Sequence, residues 1–200
     1  MEKLKEFYSK IYILVQEINV LAQEMIFNPR AFWRSRNEIR ETQDELFKNL
    51  LFPLLTVVCT ADFLGEFFRS DYFRIWVALL WVIREILLFA TLYFVGVYGT
   101  NEFIKYLGFE ERIESLQKLV AYSLVPFMMV SVVTGLFPFF YFLDIFGIYG
   151  FYIFTMGSNR LLNFPKEKRG NLILKIIAAN WIIFGLLSFA LARLLIPLDQ

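Results

Sequence analysis

The chain has 200 residues, of which 58% are hydrophobic and 19% aromatic, with 24 phenylalanines and a mean hydropathy of +0.55. That is more apolar surface than a water-soluble domain of this length can bury, so composition alone places the chain in a membrane. A net charge of +1 carries no argument for nucleic acid, and one cysteine (Cys59) with no histidine excludes an internal disulfide, a histidine triad and a histidine metal cage. No cofactor, metal or nucleic-acid partner is expected.

Residues 1–27 begin with Glu2, Lys3, Lys5 and Glu6, where a signal peptide would be building its apolar region. They read instead as an amphipathic helix. Leu4, Phe7, Ile11, Leu14, Ile18, Leu21 and Met25 alternate steps of three and four, and Asn28 and Pro29 end the run. Such a stripe either packs on the membrane domain and interface or self-associates through its heptad seam.

Residues 28–49 form an aromatic-basic segment expected on the cytoplasmic side. Phe32 and Trp33 stand among Arg30, Arg34, Arg36 and Arg40, a mixture suited to the lipid headgroup layer, where amphipathic rings and cations both find partners. Ser35 and Glu38 have the spacing of a capping box that would open the helix leading into the bilayer. Lys48 is placed to snorkel to the surface.

Five apolar segments follow, over Leu50–Phe68, Ile75–Tyr98, Leu119–Phe137, Phe139–Met156 and Leu172–Ile196. The first is interrupted by Pro53, and charge parity decides in its favour. With the amino terminus cytoplasmic and five crossings, the inner side carries the arginines of residues 30–40, Lys48, Lys105, Arg112, Lys118, Arg160, Lys166, Lys168, Arg169 and Lys175. The outer side carries Arg69, Arg74 and Arg193. This predicts an all-α polytopic membrane bundle of five transmembrane helices plus an N-terminal amphipathic helix, with residue 200 outside. Gly99–Lys118 reads as a mixed-charge loop or interfacial helix.

Arg84 and Glu85 fall near the middle of the second span, where a charge on a lone helix costs about 2.5 to 3.5 kcal/mol on insertion scales. They should face protein or water, with Trp81 stacking over Arg84 and Asn180 of the fifth span among the polar neighbours. Because adjacent helical residues diverge by about 100°, Arg84 and Glu85 are not expected to pair with each other alone. A second cluster lies toward the outer face: Asp62 and Glu66 one turn apart, Asp144 on the fourth span and Arg193 on the fifth. It reads either as an Asp-Arg clamp with solvated charges or as a carboxylate-lined vestibule for a cation. Ser131 with Gly135, Ser188 with Ala192, and Gly147, Gly150 and Gly157 suit close helix packing, and Pro126 is placed to kink the third span and free a carbonyl near Tyr122.

Ala121, Tyr122, Ser123 and Pro126, then Pro138 in a tight hairpin, then Tyr149, Tyr152 and Gly157 closing on a basic loop resemble the Ypt-interacting protein (Yip) family of five-span membrane proteins. The resemblance is most specific over residues 119–170. It implies a helical bundle over residues 50–200 with a cytoplasmic amino-terminal segment, and eukaryotic relatives are linked to Ypt/Rab small GTPases and vesicle formation. The family's Asp-Leu-x-Gly-Pro motif is missing around Asp44 and Pro53, and its Gly-Tyr-Ser appears as Ala121-Tyr122-Ser123. A prokaryotic branch, a bacterial inner membrane and no small-GTPase partner are therefore expected. Two functions stay open: a non-enzymatic membrane organiser or adaptor that contacts lipid, copies of itself or other membrane proteins, and a small solute, ion or lipid transporter using Arg84, Glu85 and the outer acids.

Overall fold

The computed structural model describes residue 16 and residues 20–110, 112–162, 164 and 169–195. Most of the expected amphipathic helix, the Lys166 and Lys168 loop positions and residue 200 lie outside these residues. Among those described there is no strand, and five helices are long and apolar enough to cross a membrane. The spans are α3 (Gln43–Arg69), α4 (Ile75–Tyr106), α5 (Ile113–Leu136), α6 (Pro138–Leu161) and α7 (Arg169–Leu195), preceded by α1 (residues 20–27) and α2 (Pro29–Glu38).

α5 is the central post. Leu116 to Pro126 are buried without a break, so this helix is enclosed around its whole circumference there and touches α3, α4 and α6. α7 packs on α4 and on the second half of α6. Where α3 crosses α5, Gly65 lies directly against the Gly135 carbonyl. No side chain fits between the two backbones there, the membrane form of close packing that small residues permit.

α3 starts at residue 43 rather than 50 and runs through Pro53 by widening. A π turn over Phe47–Leu51 stands immediately before the proline. Its longer hydrogen-bond spacing accommodates the missing N–H that would break a regular helix. The helix opens on a capping box formed by Thr42 and Glu45, with Glu45 N–H donating to Thr42 Oγ1 at 3.3 Å and Thr42 N–H donating to Glu45 Oε2 at 2.8 Å. The expected box at Ser35 and Glu38 is not formed, because Ser35 lies inside α2 and donates to the Phe32 carbonyl.

Of the stretch Gly99–Lys118, expected to be a loop or interfacial helix, the first part prolongs α4 to Tyr106 and the last part, from Ile113, opens α5. The helix stops at Gly108, whose φ of +78° lets its N–H reach Lys105 O and the Phe109 N–H reach Ile104 O, a glycine-dependent helix end. α6 begins with a 3-10 stretch, Pro138–Ile148, before continuing as α-helix from Tyr149 to Leu161.

α2 folds back on α6 and is no headgroup anchor at its centre. Phe32 is 2% exposed and Trp33 fully buried. Both rings pack edge-on to Tyr122, at 5.0 and 5.8 Å. Gly157 makes room for the Trp33 indole, whose Nε1 donates to Ile153 O at 3.0 Å. Of the expected headgroup set, Arg30, Arg34 and Arg40 are exposed and Arg36 is half-buried.

Candidate functional site

The two ends of the bundle carry the chemistry. At the end beside α2, Glu41 gathers three partners: Tyr122 Oη donates to it at 2.7 Å, Arg36 Nη1 at 3.0 Å, and Lys118 Nζ stands 3.4 Å away. Lys118 also donates to the carbonyls of Arg36 and Ile39. The cation thus closes the carbonyl end of α2, the pole where positive charge is stabilising. Tyr149 Oη donates to Ile26 O at 2.7 Å and ties α1 to α6. Of the family-motif residues, Tyr122, Ser123, Pro126 and Gly157 are buried, Tyr122 in this latch and Gly157 against Trp33, whereas Pro138 lies at the opposite end and Tyr152 is exposed.

That opposite end holds a cavity of about 610 Å³. Each wall follows the period of its own helix. Trp81, Arg84, Glu85, Leu88 and Phe89 line it from α4, Phe127, Val130, Ser131, Thr134 and Gly135 from α5, and Trp181, Phe184, Gly185 and Ser188 from α7, all at steps of three and four. α6 contributes Pro138, and beyond a kink at Phe140 it adds Tyr141, Asp144, Ile145, Gly147 and Ile148. Tyr141, Asp144 and Gly147 follow one another at steps of three, the period of the 3-10 stretch that carries them.

The chamber is charged and only partly satisfied. Arg69 donates to Asp62 Oδ1 at 3.0 Å, to Asp62 O at 2.9 Å and to Gly135 O at 3.1 Å. Arg84 Nη1 donates to Glu85 Oε1 at 2.7 Å. The two neighbours do pair, contrary to the helical-divergence argument, because the long flexible arginine side chain bends back over its own turn. Trp81 is shared, with the Arg69 and Arg84 guanidiniums 4.5 and 5.3 Å from its ring centre. Asp62 and Glu85 are only 3% and 4% exposed. Even so, Asp62 Oδ2, Glu85 Oε2 and Arg84 Nε have no hydrogen-bond partner.

The chamber merges two groups that the sequence separates, and it leaves some members out. Asp62 and Asp144 join Arg84, Glu85 and Trp81 in one lining. Glu66 is instead buried against Arg74, 2.8 Å away across the α3–α4 turn. Arg193 lies over the Phe189 ring. Asn180 is no neighbour of Arg84: its amide donates to Ile176 O at 2.9 Å and to Thr100 Oγ1 at 3.4 Å, joining α7 to α4. Arg69, Tyr141 and Trp181 escaped the sequence reading, as did Glu41. Only Arg69 had a usable signal, since it follows Asp62 by two helical turns on the same face of α3.

On one side the chamber is open. Tyr141, Asp144 and Ile145 of α6 and Trp181 and Gly185 of α7 are exposed lining residues. Inward, the lining ends at Phe89, Phe127 and Phe184. Beyond them is a void of about 50 Å³ whose polar residues are Ser123 and Asn180, and then the core around Tyr93, Val120 and Val125.

Five apolar helices, one of them a buried central post, with charges gathered inside the bundle, define a polytopic α-helical membrane protein. The Yip1 domain model matches residues 24–194, and the chain belongs to that family. No curated protein and no solved structure matches it.

Proposed function

We propose that this Yip-family protein is a non-enzymatic membrane organiser that holds the polar group of a bilayer component in its end chamber. The observation behind this reading is the shape of the cavity. It is roomy and charged at one end of the bundle, open toward the side, and backed by aromatic rings and packed core. A site of that form retains a ligand, whereas a transporter of the alternating type places its site between two halves that can rock. The positive charge clustered near the α2 latch supports a cytoplasmic location for that end, so the chamber would face the outer or lumenal leaflet, with a bacterial inner membrane as the preferred setting.

Proteoliposomes test the reading directly. Purified protein should raise the efflux of neither small cations nor small anions above protein-free vesicles, while membrane lipid extract should raise its Tm. The transport reading is favoured only by the reach of the chamber to Glu85. Efflux abolished by Gly185→Trp, which puts bulk at the open side, would establish it instead.

A further inference from the structure

Three polar atoms on residues that line the chamber have no hydrogen-bond partner within the protein, and together they are complementary to one kind of ligand. Asp62 Oδ2 and Glu85 Oε2 are acceptors and Arg84 Nε is a donor, each on a helix that lines the same cavity. A buried polar atom without a partner is costly, and a charged one more so. A monovalent metal ion would serve the two acceptors and leave the donor unmatched. An inorganic anion would do the reverse. A quaternary ammonium has no N–H to give to either carboxylate. What fits is a zwitterion with a primary ammonium close to an oxyanion.

We propose that the chamber binds a primary ammonium joined by a short linker to a phosphate, with the ammonium donating to Asp62 and Glu85 and the phosphate accepting from Arg84. This rests on the reading of the chamber as a retaining site. An aminophospholipid headgroup and a soluble aminoalkyl phosphate share this chemistry. The open side favours the lipid as its source, because the wall there pairs an exposed Tyr141, Ile145 and Trp181 with the charges behind them. Aromatic and aliphatic groups beside a polar recess suit a molecule that is apolar along its length and charged at its tip. A headgroup arriving laterally between the first half of α6 and α7 would leave its acyl chains in the bilayer.

The experiment uses the full chain in detergent, titrated separately with phosphatidylethanolamine, phosphatidylcholine and glycerophosphoethanolamine, with bound molecules counted by native mass spectrometry and Tm followed in parallel. Phosphatidylethanolamine should be retained about tenfold better than phosphatidylcholine, the scale of a charge-assisted hydrogen bond gained or lost. Glu85→Gln should erase that preference. Should Glu85→Gln fail to fold, Gly185→Trp serves, since a Cβ at exposed position 185 meets nothing within 4 Å and the added bulk starts from the open side; it too should erase the preference. Stabilisation by glycerophosphoethanolamine equal to that by the lipid would assign the site to a soluble ligand of the same chemistry. Equal retention of the two lipids, or a preference that survives both variants, overturns the proposal. If Gly185→Trp displaces some other lipid, the ammonium assignment falls and the retaining chamber stands. If it displaces none, the chamber reading falls with it.

Discussion

The latch and the chamber are built from the same materials to opposite ends. Around Tyr122, an acid, a lysine, an arginine and a phenol close on one another, and aromatic rings seal them from the side; Glu41 Oε2 accepts no hydrogen bond there but has the Lys118 ammonium 3.4 Å away. Around Trp81, two arginines and three acids surround empty space, and three of their atoms are left without a partner. Apolar surface does not distinguish helix from lipid, so within a membrane polar contacts and close packing decide how helices associate. A region that spends its polar groups on itself is a structural clasp. One that leaves them buried and unmatched is available for a ligand.

The contrast is broken most sharply by topology. In a Cys59→Ser background, a cysteine in place of exposed Tyr72, at the chamber end, should react with an impermeant thiol reagent added outside cells. One in place of exposed Tyr106, at the latch end, should not. The reverse labelling would turn the molecule over and refute the five-span orientation.

Next in size is the difference between two tryptophans. Trp33→Ala removes a fully buried ring and should lower stability by about 3–5 kcal/mol. Trp81→Ala removes a half-buried ring and two cation–π contacts, for a loss of about 1–2 kcal/mol. Thermal unfolding followed by a dye that reports exposure of Cys59 gives both. Equal losses would mean that the chamber is as much a structural element as the latch.

Glu41→Gln should cost about 1–3 kcal/mol, because Lys118 and Arg36 then lose the carboxylate that compensates them. Tyr122→Phe, which leaves that carboxylate two cationic partners, should cost about 1 kcal/mol. If Tyr122→Phe proves the more damaging, the phenol and not the acid organises the latch.

The smallest effect is expected from Arg84→Met combined with Glu85→Gln. Exchanging a buried pair for neutral groups of similar size is often neutral, so stability should change by less than about 1 kcal/mol while stabilisation by added lipid disappears. A large loss of stability in the lipid-free protein would show that the pair locks helices together, and the distinction between the two ends would collapse.

How far the sequence reaches can be judged residue by residue. The cluster around Arg84 was legible because a charge amid Leu, Ile and Trp is anomalous for a span, and Trp81 lies one turn before it. Asp62, which pairs with Arg69, was legible as an acid, but nothing in the one-dimensional pattern said that it lies in the same cavity as Glu85. Asn180 was assigned to the wrong neighbours because a polar residue on an apolar helix advertises a need for a partner without naming one. Phe32 and Trp33 looked interfacial because rings and arginines occur together both at headgroups and at the junction of two helices.

The sequence by itself determined that the chain enters a membrane, has five segments long and apolar enough to cross it, and carries charges inside those segments. These are local properties. Length and apolarity of a segment decide whether it spans, since every backbone polar group must be satisfied within the helix. Only the tertiary structure decided that Asp62, Glu85 and Asp144 share a chamber, that Arg69 and Arg84 flank one tryptophan, and that Glu41 closes the opposite end. Those outcomes depend on how each helix is rotated about its axis and where it crosses its neighbours. The wall from α6 is the plainest case: Tyr141 and Asp144 are one turn apart and share a face on any helix, and only the packing of α6 on α5 puts that face on the chamber.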